Sequence, residues 1–249
     1  MSLPQIRYAA ACLALSVALP LHGPAPAQQA PVVDDLVRSM TATLADATSI
    51  TLHVEKMFDE LLVTGEKINY AGAIDIALRR PDRFHVSYGD DLSAKEVWYD
   101  GSALVLLDLR ANVHGNLPAA ATIDATLDAV AERYGLRMPL ASLLSSDAYA
   151  AFADQVVESL YIGLHDVDGT PAHHLYFTDG ATQWQVWIDA GEVPLPLKLV
   201  VTYLDEPGEP QSIFLFTDWD LAADLPDDLF TPQIPEGAAL AAFLPRQGE

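Results

Sequence analysis

The sequence predicts a mainly β fold, a β-rich α+β protein of antiparallel strands, and three observations predict it. Between residues 158 and 221 five segments alternate with period two, over 159–165, 172–178, 182–189, 197–204 and 211–219. Asp168-Gly169, Asp179-Gly180, Ala190-Gly191 and Pro207-Gly208 stand between them, where a reversing chain needs a positive or preset φ. Segments of helical period are few, and they separate two runs of strands instead of alternating with single strands, which speaks against a parallel βαβ sheet.

The chain opens with Arg7, an apolar run over 8–21 and a small-x-small site at Ala25-Pro26-Ala27. A charged start and an apolar run too short to span a bilayer describe a secretory signal peptide, residues 1–27, cleaved after Ala27. Cys12, the single cysteine, lies inside that run and follows Ala9-Ala10-Ala11 instead of a Leu-led lipobox. Cleavage leaves a mature chain with no thiol, which excludes disulfides, thiol nucleophiles and thiolate metal sites. The expected mature chain is soluble and has no transmembrane segment.

Residues 31–47 predict a helix. Leu36, Met40, Thr43, Leu44 and Ala47 form one stripe, Pro31 suits a first turn, and Asp34 and Asp35 favour the positive end of the dipole. From Ser49 the period drops to two, with Ile50, Leu52 and Val54 alternating with Thr51, His53 and Glu55. A second strand over 67–78 has room for little but Ala and Gly on part of one side. Arg79, Arg80, Pro81, Asp82 and Arg83 predict a hairpin corner with a solvated basic cluster. Strands over 84–88, 95–99 and 102–109 follow, the last two joined at Asp100-Gly101, the strongest hairpin signal in the chain. The N-terminal run is counted as six strands.

Thr122 caps a helix whose stripe of Ile123, Leu127, Val130, Ala131 and Tyr134 ends at Gly135. Short helical turns are expected over 139–144 and 146–152. In the C-terminal run, Leu160, Ile162 and Leu164 share a face, as do Trp184, Val186 and Ile188, and Leu197, Leu199, Val201 and Tyr203. The opposite face mixes Gln183, Gln185, Lys198 and Thr202 with Trp187, Val200, Phe214 and Phe216. Residues 225–235, rich in Pro and Asp, are expected to be extended.

With 13 Lys and Arg against 35 Asp and Glu the net charge is −22. Phosphate backbones and anionic leaflets repel such a surface, which argues against nucleic-acid binding and stable electrostatic membrane docking. No Gly-x-Ser-x-Gly elbow, His-Glu-x-x-His helix or Gly-rich phosphate loop occurs. His173 and His174 are adjacent in a strand and diverge, so they cannot share one metal without a bulge. His165 lies across the Asp168-Gly169 turn and can neighbour one of them, with Asp166 close in sequence. That grouping is the only place for a hydrolase, on His165 and His173, and polar residues flanking a hairpin are the plainer account. No metal, cofactor or catalytic residue is expected. The aromatics point elsewhere: a sheet apolar on both sides needs cover on both, and short helices cover one face only in part, so an apolar patch or cavity is expected.

Eight segments carry a resemblance: Gly65-Glu-Lys-Ile-Asn, Arg79-Arg-Pro-Asp-Arg-Phe, Trp98-Tyr-Asp-Gly, Thr122-Ile-Asp-Ala-Thr-Leu-Asp, Tyr134-Gly-Leu-Arg-Met-Pro-Leu-Ala-Ser-Leu-Leu, His173-His-Leu, Trp184-Gln-Val-Trp-Ile and Pro194-Leu-Pro-Leu-Lys-Leu-Val. They resemble a family of predicted periplasmic proteins of unknown function, over nearly all the mature chain. That family is similar in turn to the Lol-type lipoprotein carriers and receptors and to the RseB-type lipoprotein-binding sensors, sharing strand-Asp-Gly-strand-Pro-x-Lys-strand in the C-terminal half. The resemblance implies an open antiparallel half-barrel of about eleven strands, with short helices plugging its concave face around an apolar cavity. It implies one such domain over 28–249, in the periplasm. No catalytic residue carries over, and the Lol carriers' functional Arg has no matching position; Arg79, Arg80 and Arg83 look like corner residues.

The reading that follows is a periplasmic carrier or binding protein for an apolar ligand, a lipid or the acyl chain of a lipoprotein, and not an enzyme. Roughly 0.8 kcal/mol per buried CH₂ gives a dozen methylenes on the order of 10 kcal/mol before costs, so such a protein needs no polar motif. Alternation and the resemblance together place the cavity against Trp184, Val186, Ile188, Leu199, Val201 and Leu215. The alternative is a cell-envelope interaction or sensor subunit with a protein partner and no ligand of its own.

Overall fold

The computed structural model describes residues 32–134, 140–153 and 156–243. The expected signal peptide, with Cys12 and the site after Ala27, lies outside the described residues, as do Pro31 and Gly135. The described residues belong to one compact unit. Helix α1 (Val33–Asp46) leads into β1 (Ser49–Leu61), β2 (Lys67–Arg79), β3 (Arg83–Asp90), β4 (Ala94–Tyr99), β5 (Ala103–Asp108) and β6 (Val113–Pro118). Three helices follow, α2 (Ile123–Tyr134), α3 (Ala141–Leu144) and α4 (Ala148–Ala153). The second run is β7 (Glu158–Val167), β8 (Thr170–Thr178), β9 (Thr182–Asp189), β10 (Pro196–Tyr203) and β11 (Gln211–Asp220), with a two-residue β12 (Ala239–Leu240) near the C-terminus.

Local chemistry accounts for these boundaries. Thr122 Oγ1 accepts the Ala125 amide at 3.2 Å, the expected N-cap of α2. At the β4–β5 turn Asp100 Oδ1 accepts the amides of Ser102 and Ala103, both at 2.9 Å, while Gly101 takes φ +86°. The strands form one twelve-stranded sheet in the order β12-β6-β5-β4-β3-β2-β1-β11-β10-β9-β8-β7. Its ends do not pair, so the sheet stays open as a half-barrel, and the two runs meet where β1 pairs with β11. Pairing is antiparallel throughout except for the twelfth strand, which joins β6 in parallel and takes the count past eleven.

Helices pack on the concave face, with Ile123 and Val130 of α2 and Leu144 of α3 in one core with Ile50, Leu52, Ile76 and Leu104. Helix α1 sits on the other half of that face, where Val37 and Met40 pack with Leu175, Phe177, Val186 and Ile188. The convex face is covered by the segment after β11. Leu225 and Phe230 close over Ala77, and Ile234 and Ala238 pack on Trp98, Val105 and Leu107. This tail runs in the extended manner its Pro content suggests, apart from a 3₁₀ turn at Asp227–Phe230.

Three expectations change. The arginine corner is not a solvated cluster: Arg80 reaches the carbonyls of Ala47, Leu44 and Leu144 at 3.2, 3.3 and 2.8 Å. The run Leu160, Ile162, Leu164 does not share a face, because a bulge between Tyr161 and Gly163 shifts the register, setting Leu160 opposite Tyr176 and Leu164 opposite His173. Phe214 and Phe216, expected on the mixed face, belong to the concave core, since Phe214 pairs with Leu199.

Candidate ligand cavity

The cavity is built from rows of side chains that cross the sheet. Ile50, Leu78, Phe84, Tyr99, Leu104 and Leu117 are successive cross-strand partners, and so are Leu52, Ile76, Val86, Val97 and Leu106. Directly opposite residues share a face, so both rows lie on the concave side. Helix α2, twelve residues or about 18 Å long, roofs them with Ile123, Leu127 and Val130. Helix α3 adds Ala141 and Leu144, with Leu140 just before it. A helix that short does not fill the hollow of a curved sheet, and a space of about 320 Å³ remains. That volume falls at the lower end of small-molecule sites, roughly 300–1,000 Å³.

Among the described residues every lining side chain is apolar except Lys56, Tyr88 and Lys95. These three lie at one end. A third row, Val54, Ile74, Tyr88 and Lys95, sets Tyr88 directly opposite Lys95. Lys56 Nζ donates to Tyr88 Oη at 3.3 Å and stands 3.9 Å from the centroid of Phe58. Tyr88 Oη in turn donates to the Asp90 carboxylate. Burial lowers the Lys56 pKa, the carboxylates of Asp90 and Glu60 oppose the shift, and Lys95 adds to it. Burial likewise pushes the Tyr88 hydroxyl up, and its bond to Asp90 adds to the rise. A second depression of about 500 Å³ adjoins this end, sharing Lys56, Tyr88 and Phe214, and is lined by the carboxylates of Asp59, Glu60, Asp90 and Glu206.

The six residues expected to line a cavity lie elsewhere on the sheet. Cross-strand pairing puts Trp184, Val186, Leu199 and Val201 on one face, as alternation predicts. That face is the concave one, but α1 covers it there, and Val186 and Ile188 are 5% and 0% exposed beneath the helix. Leu215 is on the convex side, because its neighbour Phe214 pairs with Leu199. None of the six lines the cavity; Phe214 is the contribution of β11 to it. Lys56 and Lys95 were missed although a signal exists: Lys56 continues the row Ile50, Leu52, Val54, and Lys95 the row Val97, Tyr99.

The histidines do not assemble the hydrolase alternative. His173 is on the concave side with Tyr161 Oη at 3.2 Å, whereas His165 Nδ1 lies 3.1 Å from His174 Nδ1 on the convex side. His174 stacks on Trp187 with centroids 3.9 Å apart and meets Gln185 Oε1 at 3.0 Å. Among the described residues no group of three His, Cys, Asp or Glu is placed to hold a metal. No carboxylate, histidine, serine or cysteine among them lines the cavity. The arrangement can bury hydrocarbon and present two cations to it.

An open antiparallel sheet curled under short helices, with an apolar hollow between them, defines the class of mainly β half-barrels. Within it, the chain belongs to the family described as "Predicted periplasmic protein (DUF2092)", whose model matches residues 33–244. Among the described residues no helix is long and apolar enough to cross a membrane. No curated protein matches the chain. Among solved structures it is similar to the lipoprotein LppX of Mycobacterium tuberculosis, at 12% identity and TM-score 0.47 over 77% of this chain and 96% of that one. It is similar also to a LolA-superfamily protein of Nitrosomonas europaea, at 12% identity and TM-score 0.33 over 82% and 99%. A third is MucB in complex with the periplasmic part of MucA, at 16% identity and TM-score 0.41 over 84% and 62%.

Proposed function

We propose that the protein is a periplasmic binding or carrier protein for an apolar ligand, a lipid or the acyl chain of a lipoprotein, with no reaction or cofactor of its own. On this reading residues 1–27 are removed on export and 28–249 act as one domain. The observation that carries it is the hollow of about 320 Å³ lined by aliphatic and aromatic side chains from six strands and two helices. At roughly 0.8 kcal/mol per buried CH₂, such a lining supports binding without a polar motif. Native mass spectrometry with lipid extraction, on protein purified from the periplasm, is the direct test. A co-purifying lipid, and a fluorescent fatty acid that binds wild type but not the cavity-filling variant Leu106→Trp, are expected. Wild-type protein that carries no lipid and binds no apolar probe overturns the reading.

In that event an envelope interaction or sensor subunit moves ahead, for which one observation speaks. Strand β7 is a sheet edge, and its Leu160, Ile162 and Leu164 are 46%, 46% and 58% exposed, where edges are ordinarily blunted by charge.

A further inference from the structure

We propose that the ligand is an amphiphile with an anionic head, a carboxylate or a phosphate, seated between Lys56 and Lys95 at the end of the cavity. The proposal rests on the cavity being the ligand site, and it adds the polarity and the direction in which the ligand lies. The chain has four lysines, Lys56, Lys67, Lys95 and Lys198, against 35 acidic residues. Two of the four line one apolar hollow, and among the described residues they are its only charged side chains. Chance placement on an acidic surface does not favour that pairing, and a half-buried cation needs a partner to offset its lost hydration.

Four of the other basic groups pair with carboxylates, Arg80 and Arg110 bind backbone carbonyls, and Lys198 stands over the Trp187 ring. Lys67 pairs with Asp59 at 3.3 Å, Arg38 with Asp34 at 2.7 Å, Arg79 with Asp227, and Arg83 with Asp82 at 3.7 Å. Among the described residues neither Lys56 nor Lys95 has a carboxylate within 4.0 Å; Lys56 donates instead to the neutral Tyr88 hydroxyl. The nearest acids are committed elsewhere. Asp90 accepts Tyr88 Oη and the amides of Leu92 and Ser93 at 2.8 and 2.6 Å, and Asp59 accepts Asn69 at 3.1 Å and the Gln211 amide at 3.2 Å. These carboxylates line the adjoining depression and not the hollow. An anionic head left outside would face them and be repelled, whereas one drawn inward meets two ammonium groups flanking Tyr88. Charge-assisted bonds of this kind are about twice as strong as neutral ones, and stronger still beside hydrocarbon.

The test uses the delipidated mature chain and three ligands of one chain length, dodecanoic acid, dodecyl phosphate and dodecanol, competing with a neutral fluorescent probe at neutral pH. Expected is a ratio of at least tenfold, about 1.4 kcal/mol, in favour of the acid or the phosphate over the alcohol. The two acids differ only in their heads, so their order tells carboxylate from phosphate. That ratio should fall to about one in Lys56→Met/Lys95→Met and persist in Lys56→Arg/Lys95→Arg, with urea unfolding of each variant recorded. If the double Met variant does not fold, the single variants Lys56→Gln and Lys95→Gln should each lower the ratio. A wild-type ratio near one, or a preference that survives the Met or Gln substitutions, overturns the head-group proposal while leaving the apolar site standing. Binding of none of the three overturns the cavity reading itself, and this proposal with it.

Discussion

Arg79 and Arg80 are adjacent, and their guanidinium groups secure opposite faces of the sheet. Arg79 donates to Leu225 O at 2.8 Å and pairs with Asp227, holding the C-terminal tail on the convex side. Arg80 donates to Leu44 and Ala47 at the end of α1 and to Leu144 at the end of α3, tying the concave-side helices to the corner of β2. Helix C-termini leave carbonyls without intrahelical partners, and one cation there satisfies three of them.

The two arginines should therefore differ in weight. Arg80→Met strands the half-buried carbonyls and is expected to cost about 2–4 kcal/mol in urea unfolding. Arg79→Met is expected to cost about 1 kcal/mol, because the Asp227 side chain is 88% exposed and water replaces its partner. Equal losses would mean that the helices do not depend on the Arg80 anchor.

Gly72 and Gly89 give a second contrast, on neighbouring strands. A Cβ at Gly72 would stand 2.4 Å from Asp90 Cβ and 2.5 Å from Gly89 O, whereas one at Gly89 meets nothing within 4 Å. Gly72→Ala is expected to destabilise by about 1–3 kcal/mol as backbone is forced apart. Gly89→Ala should be neutral or slightly stabilising through the unfolded chain. Thermal unfolding of the pair decides it, and a tolerated Gly72→Ala would show that β2 and β3 can separate at that point.

Asp90 links the cavity end to pH. Burial acts to raise its carboxyl, but the Tyr88 hydroxyl and the Ser93 and Leu92 amides outweigh it and hold the pKa below the ordinary 3.8. A lowered folded pKa contributes stability that is complete above the unfolded value and lost as pH falls through the folded one. The stability gap between wild type and Asp90→Asn should be widest at neutral pH and close below about pH 3.8. A gap that stays constant down to pH 2.5 (about one unit below that value) would deny Asp90 this role.

His174 titrates in the same sense at milder pH. Burial lowers its pKa from 6.5, His165 and Lys198 add to that, and Gln185 opposes it. The folded state thus favours the neutral ring, and the unfolded chain takes the proton first. Stability relative to His174→Phe is expected to be full above pH 6.5 and to decline as pH falls below it. Urea midpoints at steps across that range test it, and a flat difference would contradict the burial of His174 against Trp187.

Much of the architecture was legible in the chain because its signals are local. Period-two alternation puts Trp184, Val186 and Ile188 on one face by geometry alone, and the pairings with Leu199 and Val201 show that face. Asp100-Gly101 specifies a turn, Thr122 a cap, and the eight segments resembling a periplasmic family imply the half-barrel. What alternation cannot say is which stretch of a concave face is filled. That was decided by the landing of α1 over Val186 and Ile188, and of α2 and α3 over the rows from β1 to β6, where the hollow remains. Strand β11 is apolar on both sides, so only its register with β10 assigns Phe214 inward and Leu215 outward. Alternation continues the inner rows to Lys56 and Lys95, but only the pairing of β1 with β2, β2 with β3 and β3 with β4 brings the two together at one end of an apolar cavity. Alternation and turn chemistry act over a few residues and are written in the sequence itself. The position of a cavity depends on contacts between segments far apart in the chain, and only the closed tertiary packing sets those distances.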